Sequence, residues 1–170
     1  MATLCQRTRT ISYCLTMVAV LSAGAARHSL AQAKDPFLGT WRLDPAKSTF
    51  TGVTPTKRTM TFARLPNGSL RHVIDTAGPG GGIVTNDVIH QQYTFKIDGK
   101  DYPADPQMQV STVSFTRVDS NTLERTGKYR GEVAETITYA VSQDGKTLIA
   151  TQTGTANGVE VSNVQVFTRQ

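Results

Sequence analysis

Residues 122–155 read TLERTGKYRGEVAETITYAVSQDGKTLIATQTGT, three alternating runs cut by Arg130-Gly131-Glu132 and Gln143-Asp144-Gly145-Lys146. Alternation of period two marks half-buried strands, and the glycine-bearing interruptions mark hairpin turns. Register then decides which face each side chain takes, because a slip of one residue sends the whole row to the other face. A three-residue loop Arg130–Glu132 sets Tyr129 against Val133, Arg125 against Ile137 and Leu123 against Tyr139, which keeps the apolar residues together. A two-residue loop sets Leu123 against Thr138 and mixes the faces. In the next hairpin a four-residue loop Gln143–Lys146 sets Val141 against Leu148 and Tyr139 against Ala150. One face thereby gathers Leu123, Arg125, Tyr129, Val133, Glu135, Ile137, Tyr139, Val141, Leu148 and Ala150. On it Gly127 stands opposite Glu135, and Arg125 is one diagonal away, within reach of an ion pair.

The same rhythm extends in both directions. Turn signals recur at close to ten-residue intervals, at Pro66-Asn67-Gly68-Ser69, Asp98-Gly99-Lys100, Arg130-Gly131-Glu132, Gln143–Lys146 and Asn157-Gly158. Asn67-Gly68-Ser69 is formally a glycosylation sequon, and it reads better as turn chemistry. The expected strands are 39–44, 57–65, 70–76, 88–97, 109–118, 122–129, 133–142, 147–155 and 159–169. Threonine supplies 21 of residues 34–170, and valine is also frequent; both suit a pleated surface. No window shows a helical apolar stripe, and at most one helical turn fits at Asp35-Pro36-Phe37-Leu38. The fold expected is all-β: an antiparallel up-and-down meander of about 8–10 strands closed as a barrel.

Residues 1–33 stand apart. Met1–Thr10 is short and basic, Ile11–Ala26 is apolar or small, and Ala31-Gln32-Ala33 supplies an Ala-x-Ala site. That order is a secretory signal peptide, and its apolar core is shorter than the roughly 20 residues that span a bilayer, so no stable membrane anchor is expected. The barrel domain is then 34–170, exported to the periplasm or the extracellular space. Both cysteines, Cys5 and Cys14, fall in the leader, which excludes a disulfide scaffold or a cysteine nucleophile in the mature chain. Removing the leader also lowers the net charge from +5 to +2, so the basic balance is not a nucleic-acid footprint.

Gly39-Thr40-Trp41, after Asp35-Pro36-Phe37-Leu38 and on the first strand, resembles the G-x-W opening of the calycins, the superfamily of lipocalins and fatty-acid-binding proteins. There an arginine or lysine of the last strand packs across the tryptophan, and Arg169 in Val166-Phe167-Thr168-Arg169 takes that place here. Tyr93–Lys100, Asn121-Thr122-Leu123 and Asp144–Leu148 look like small exported bacterial lipocalin-like proteins. The likeness covers most of 35–170 and implies a lipocalin-like barrel with Trp41 and Arg169 as structural residues. The chain lacks the helix pair of fatty-acid-binding proteins and the cysteines and C-terminal helix of classical lipocalins.

Little else in the sequence points to chemistry. His72 and His90 lie in different strands without a ligand partner at metal spacing, so no metal or cofactor is expected. Gly78-Pro79-Gly80-Gly81-Gly82 has no following Lys-Ser/Thr and is not a phosphate loop. A binding barrel is the preferred reading, with Phe62, His72, Tyr93, Phe95, Phe115, Arg125, Tyr129, Glu135 and Tyr139 as inward residues. Its partner would be a small hydrophobic or carboxylate ligand, the latter favoured by Arg125. The alternatives are a filled barrel acting as a cell-envelope interaction or inhibitor module, and an enzyme with Glu135 or His72 as general base and Tyr129 or Tyr139 as donor. Cleavage at the Ala-x-Ala site predicts that N-terminal sequencing of the mature protein starts at or near Lys34; a protein retaining Met1 would overturn export.

Overall fold

The computed structural model describes residues 35–52, 54–78, 88–156 and 158–170. The leader and Pro79–Gly82 of the glycine-rich stretch lie outside the described residues. Ten antiparallel strands follow one another: β1 (Gly39–Leu43), β2 (Lys57–Arg64), β3 (Leu70–Ala77), β4 (Ile89–Phe95), β5 (Tyr102–Pro103), β6 (Thr112–Arg117), β7 (Thr122–Tyr129), β8 (Glu132–Val141), β9 (Thr147–Ala156) and β10 (Val159–Arg169). Their order in the sheet is β4-β3-β2-β1-β10-β9-β8-β7-β6-β5, a meander joined first strand to last through β1 and β10. The remaining gap, between β4 and β5–β6, is crossed by side chains instead of a ladder. Across it Gln92 N donates to Asp105 Oδ2 at 2.9 Å, Gln107 Nε2 donates to the His90 carbonyl at 2.9 Å, and Phe95 stacks on Phe115. The barrel is therefore nearly closed. Among the described residues no helix is long and apolar enough to cross a membrane.

Nine of the ten strands are those that alternation picks out. The tenth, β5, is two residues long and too short to show a period. Asp35–Leu38 makes its single turn, with Leu38 N donating to the Asp35 carbonyl at 3.1 Å. The 3₁₀ turn at Pro45–Lys47 was not legible in the sequence; Pro45 presets its first φ. Asn67-Gly68-Ser69 is indeed a turn: Asn67 Oδ1 accepts from Ser69 N at 3.1 Å and from its hydroxyl at 2.5 Å, and Gly68 sits at φ +80°.

The β7–β8 hairpin corrects the expected loop while keeping most of the expected register. Leu123 pairs with Tyr139, Arg125 with Ile137 and Gly127 with Glu135, but then Lys128 pairs with Val133 and Tyr129 with Glu132. The turn has two residues, Arg130 and Gly131, both at positive φ (53° and 86°), the conformation that matches strand twist in tight hairpins. A β-bulge at Ala134 absorbs the one-residue slip, so a tight turn and a coherent apolar face coexist. The cost falls on Val133, expected inward and found 63% exposed on the outer face. Tyr129 keeps its inward parity at the rim, where it is 51% exposed. In the β8–β9 hairpin, Val141 pairs with Leu148 and Tyr139 with Ala150, as the four-residue loop requires.

Trp41 closes one end. Its indole is fully buried, donates to the Phe37 carbonyl at 2.9 Å and lies under the Arg169 guanidinium, 4.1 Å from ring to Cζ. Arg169 donates to the carbonyls of Gly145, Leu38 and Pro36 at 2.6, 2.7 and 2.5 Å, tying the β8–β9 turn to the lead-in of β1. Gly39 is obligatory here, since a Cβ would stand 2.8 Å from Arg169 Nη1 and φ is +128°. Trp41→Ala should cost on the order of 3–5 kcal/mol in chemical denaturation. A double-mutant cycle with Arg169→Ala should show a coupling of about 0.5–2 kcal/mol, and additive losses would exclude the shared contact.

Candidate functional site

Alternation sends one residue in two to the inside, and the inner rows meet first in a layer of rings. Phe62 on β2, His72 on β3, Tyr93 and Phe95 on β4, Phe115 on β6 and Tyr139 on β8 are each at most 5% exposed. Phe95 and Phe115 stack at 3.7 Å, Phe62 and His72 at 4.1 Å, and Phe62, His72 and Tyr93 each meet a neighbour edge-on. These six side chains fill the middle of the barrel with a packed floor.

A polar belt runs around the inner wall beside this floor. Arg58 on β2 donates from Nε to Thr76 Oγ1 at 3.0 Å and from Nη1 to Gln165 Oε1 at 2.6 Å. Asn163, two residues before Gln165 in the inner row of β10, donates to Gln152 Oε1 at 2.9 Å, and Gln152 donates to Glu135 Oε2 at 2.5 Å. Glu135 Oε1 accepts from Arg125 Nη2. Arg125 Nη1 reaches the Tyr93 hydroxyl at 3.4 Å, which in turn meets His72 Nδ1 at 2.7 Å. The Arg125–Glu135 diagonal expected from register is thus an ion pair, with the arginine side chain 2% and the glutamate side chain 17% exposed.

Two mid-strand glycines make that pair feasible. Gly127 and Gly154 are the register partners of Glu135 on β7 and β9. A Cβ on Gly127 would lie 2.8 Å from Glu135 Cγ and 2.9 Å from Val110 Cγ1. One on Gly154 would lie 2.3 Å from the bulged Ala134 carbonyl and 2.7 Å from Glu135 Cα. A glycine inside a strand marks close approach or a bulge, and here it does both. That was the signal available in the sequence for this cradle; Gln152 and Asn163 gave none.

Burial governs the protonation of this network. Burial pushes the Tyr93 and Tyr139 phenols above their ordinary range, against the pull of Arg125, so both stay protonated. The Tyr93 oxygen accepts from Arg125 and shares a hydrogen bond with His72 Nδ1 in which either group can be the donor. Burial first, and then the neighbouring Arg125 charge, hold His72 well below its usual value of 6.5. Burial works against the Arg125 charge too, but the hydroxyl groups of Tyr93 and Tyr139 keep it raised. His72 Nε2 and Arg125 Nε are left buried without a partner.

At the end opposite Trp41 the barrel opens into a cavity of about 470 Å³. Val110, Ala134, Val161 and Tyr129 supply its apolar wall, and Gln109, Glu135, Gln152, Gly154 and Thr155 its polar and backbone side. Of the nine inward residues expected from sequence, Tyr129 and Glu135 border this cavity. Arg125 lies behind Glu135, and the other six form the floor. His90 is on the outer face, its Nδ1 2.6 Å from Asp75 Oδ1. Among the described residues no three His, Cys, Asp or Glu side chains gather as a metal would require.

No family model matches the sequence, and no curated protein does. Solved structures do match. The fluorescent protein UnaG superposes with a TM-score of 0.55 at 19% identity, over 80% of this chain and 98% of that one. A Schistosoma mansoni fatty acid binding protein, solved with arachidonic acid, superposes at 0.53 and 16% identity, over 80% and 97%. The chain has the calycin fold. Within the calycin barrel the floor, belt and mouth are built from this chain's own residues, and a likeness at these identities is one of fold.

A His that stays neutral when buried makes the folded state refuse a proton that the unfolded chain accepts. Its contribution is complete above about pH 6.5 and is lost as pH falls toward the depressed folded value. Denaturation midpoints taken from about pH 7.5 to about pH 5 should therefore fall less steeply for His72→Gln than for the wild type. Parallel profiles would mean that His72 is not held neutral.

Proposed function

We propose that this chain is an exported calycin barrel that holds a small amphipathic molecule, with its apolar part in the mouth cavity and its polar group against the inner belt. The observation that carries the reading is the cavity itself. About 470 Å³ bounded by Val110, Ala134, Val161 and Tyr129 on one side and by Glu135 and Gln152 on the other is the size and mix of a small-ligand site. A Schistosoma mansoni protein of the same fold holds arachidonic acid, a long-chain carboxylic acid, which supports an amphipathic ligand here. Export rests on the basic, apolar and Ala-x-Ala order of the leader. In this reading the Arg125–Glu135 pair is the polar wall behind the cavity, and the floor is a rigid base. His72 and Tyr139 lie within that floor and do not border the cavity.

A second reading, a filled barrel serving as a cell-envelope interaction or inhibitor module, is favoured by the packed floor. It differs by expecting no ligand. Native mass spectrometry of the protein recovered from its own compartment should show a retained mass that is lost on denaturation. Val161→Trp, which fills the mouth, should lose that mass and leave the melting temperature within a few degrees. A wild type that carries no ligand and takes up none from a fatty-acid and fatty-alcohol panel would favour the filled barrel.

A further inference from the structure

The outside of the barrel wall changes character from one side to the other. On β2, β3 and β4 the outward rows carry Lys57, Arg71, Asp75 and His90, an ordinary solvated mixture. On β8, β9 and β10 they carry no charge over residues 136–140, 147–155 and 162–168, where only threonine, serine, valine, isoleucine and alanine point outward. Register aligns these side chains across the three strands: Thr136, Thr153 and Ser162 form one row, and Thr138, Thr151 and Val164 the next. Ile149 and Val164, diagonal neighbours on β9 and β10, are 40% and 38% exposed at the centre of the face. The fit of threonine to a pleated surface accounts for the residue type at each position. It does not account for the loss of every charge, because charged side chains are what keep an outward face in water. Depletion of charge is the compositional mark of a surface that becomes covered.

We infer that the outer face of β8–β10 is a self-association surface, which meets the same face of a second copy of this chain across a two-fold axis. Its chemistry selects that occupant. Without charge it has nothing to steer a nucleic acid, an anionic membrane or an oppositely charged protein. A hydroxyl both donates and accepts, so a row of threonines is complementary to its own copy, and no like charges are brought together when the patch meets itself. Two sheets of the same twist can pack face to face with their strands within about 30°. At a strand spacing of about 4.8 Å and a rise of about 3.3 Å, each outward residue covers about 32 Å² of sheet plane. The face then offers about 400 Å² per copy before the relief of its side chains is added, which puts the contact near the roughly 1,000 Å² total of the smallest specific interfaces. That area suits a reversible dimer and falls short of an obligate one. The contact lies on the outside of the wall, so it is independent of whether the mouth cavity holds a ligand.

Sedimentation equilibrium of the protein as recovered, compared with Thr151→Lys, Thr151→Glu and Thr59→Lys, tests the assignment. The wild type should pass from monomer to dimer with a dissociation constant of about 10–100 μM. Thr151→Lys and Thr151→Glu each place an unpaired charge at the centre of the contact in both copies, and each should weaken association about tenfold or more. Loss in both variants, whose charges are opposite, separates burial of the face from a change in net charge. Thr59→Lys puts the same lysine on the outward row of β2 and should leave association within about twofold. A wild type that stays monomeric up to about 1 mM overturns the proposal. So does a dimer that both Thr151 variants leave intact, or that Thr59→Lys weakens as much as Thr151→Lys does, since the copies then meet elsewhere.

Discussion

Arg125 is buried in the barrel, and a buried guanidinium without a counter-charge would be strongly destabilising, so much of the inner wall is arranged around giving it one. Glu135 has to lean along the sheet from β8 toward β7 to reach it. That path exists only because Gly127 presents no side chain on one flank and Gly154 none on the other. The bulge at Ala134 belongs to the same arrangement. It brings the Ala134 carbonyl so close to Gly154 that no other residue fits there, and it lets the two-residue turn Arg130-Gly131 coexist with an in-register apolar face. Gln152 and Asn163 then extend the network across β9 and β10 and hold the second carboxylate oxygen. Breaking the pair from either side leaves one charge stranded, which costs more than the pair gains over an apolar substitute.

How much of this was legible in the sequence follows from what alternation encodes. Parity along a strand says which side a residue faces, and it placed Phe62, His72, Tyr93, Phe95, Phe115, Arg125, Glu135 and Tyr139 inside. Face coherence also chose the pairing of Arg125 with Ile137 and of Tyr139 with Ala150. Parity fails at a bulge, where one strand gains a residue, and Val133 went to the wrong face for that reason. Nor does parity tell a wall from a filling. Whether an inward ring lines a space or occupies it depends on how the rings of opposite walls meet, as Phe95 and Phe115 do across the β4–β6 gap. The mouth was hard to foresee because it is made by small and neutral residues, Gly154, Ala134, Thr155 and Gln152, whose types carry little information alone.

Three arginines show how one side chain takes different roles according to its partners. Arg169 donates to three backbone carbonyls and lies on an indole; its donors are consumed by the fold, and its place at the Trp41 end is structural. Arg125 has a carboxylate and a phenol, so its charge is balanced inside the wall, and its Nε, like His72 Nε2, is buried without a partner among the described residues. Arg58 has two neutral acceptors and a phenyl ring, which orient the guanidinium and leave its charge unmatched among the described residues.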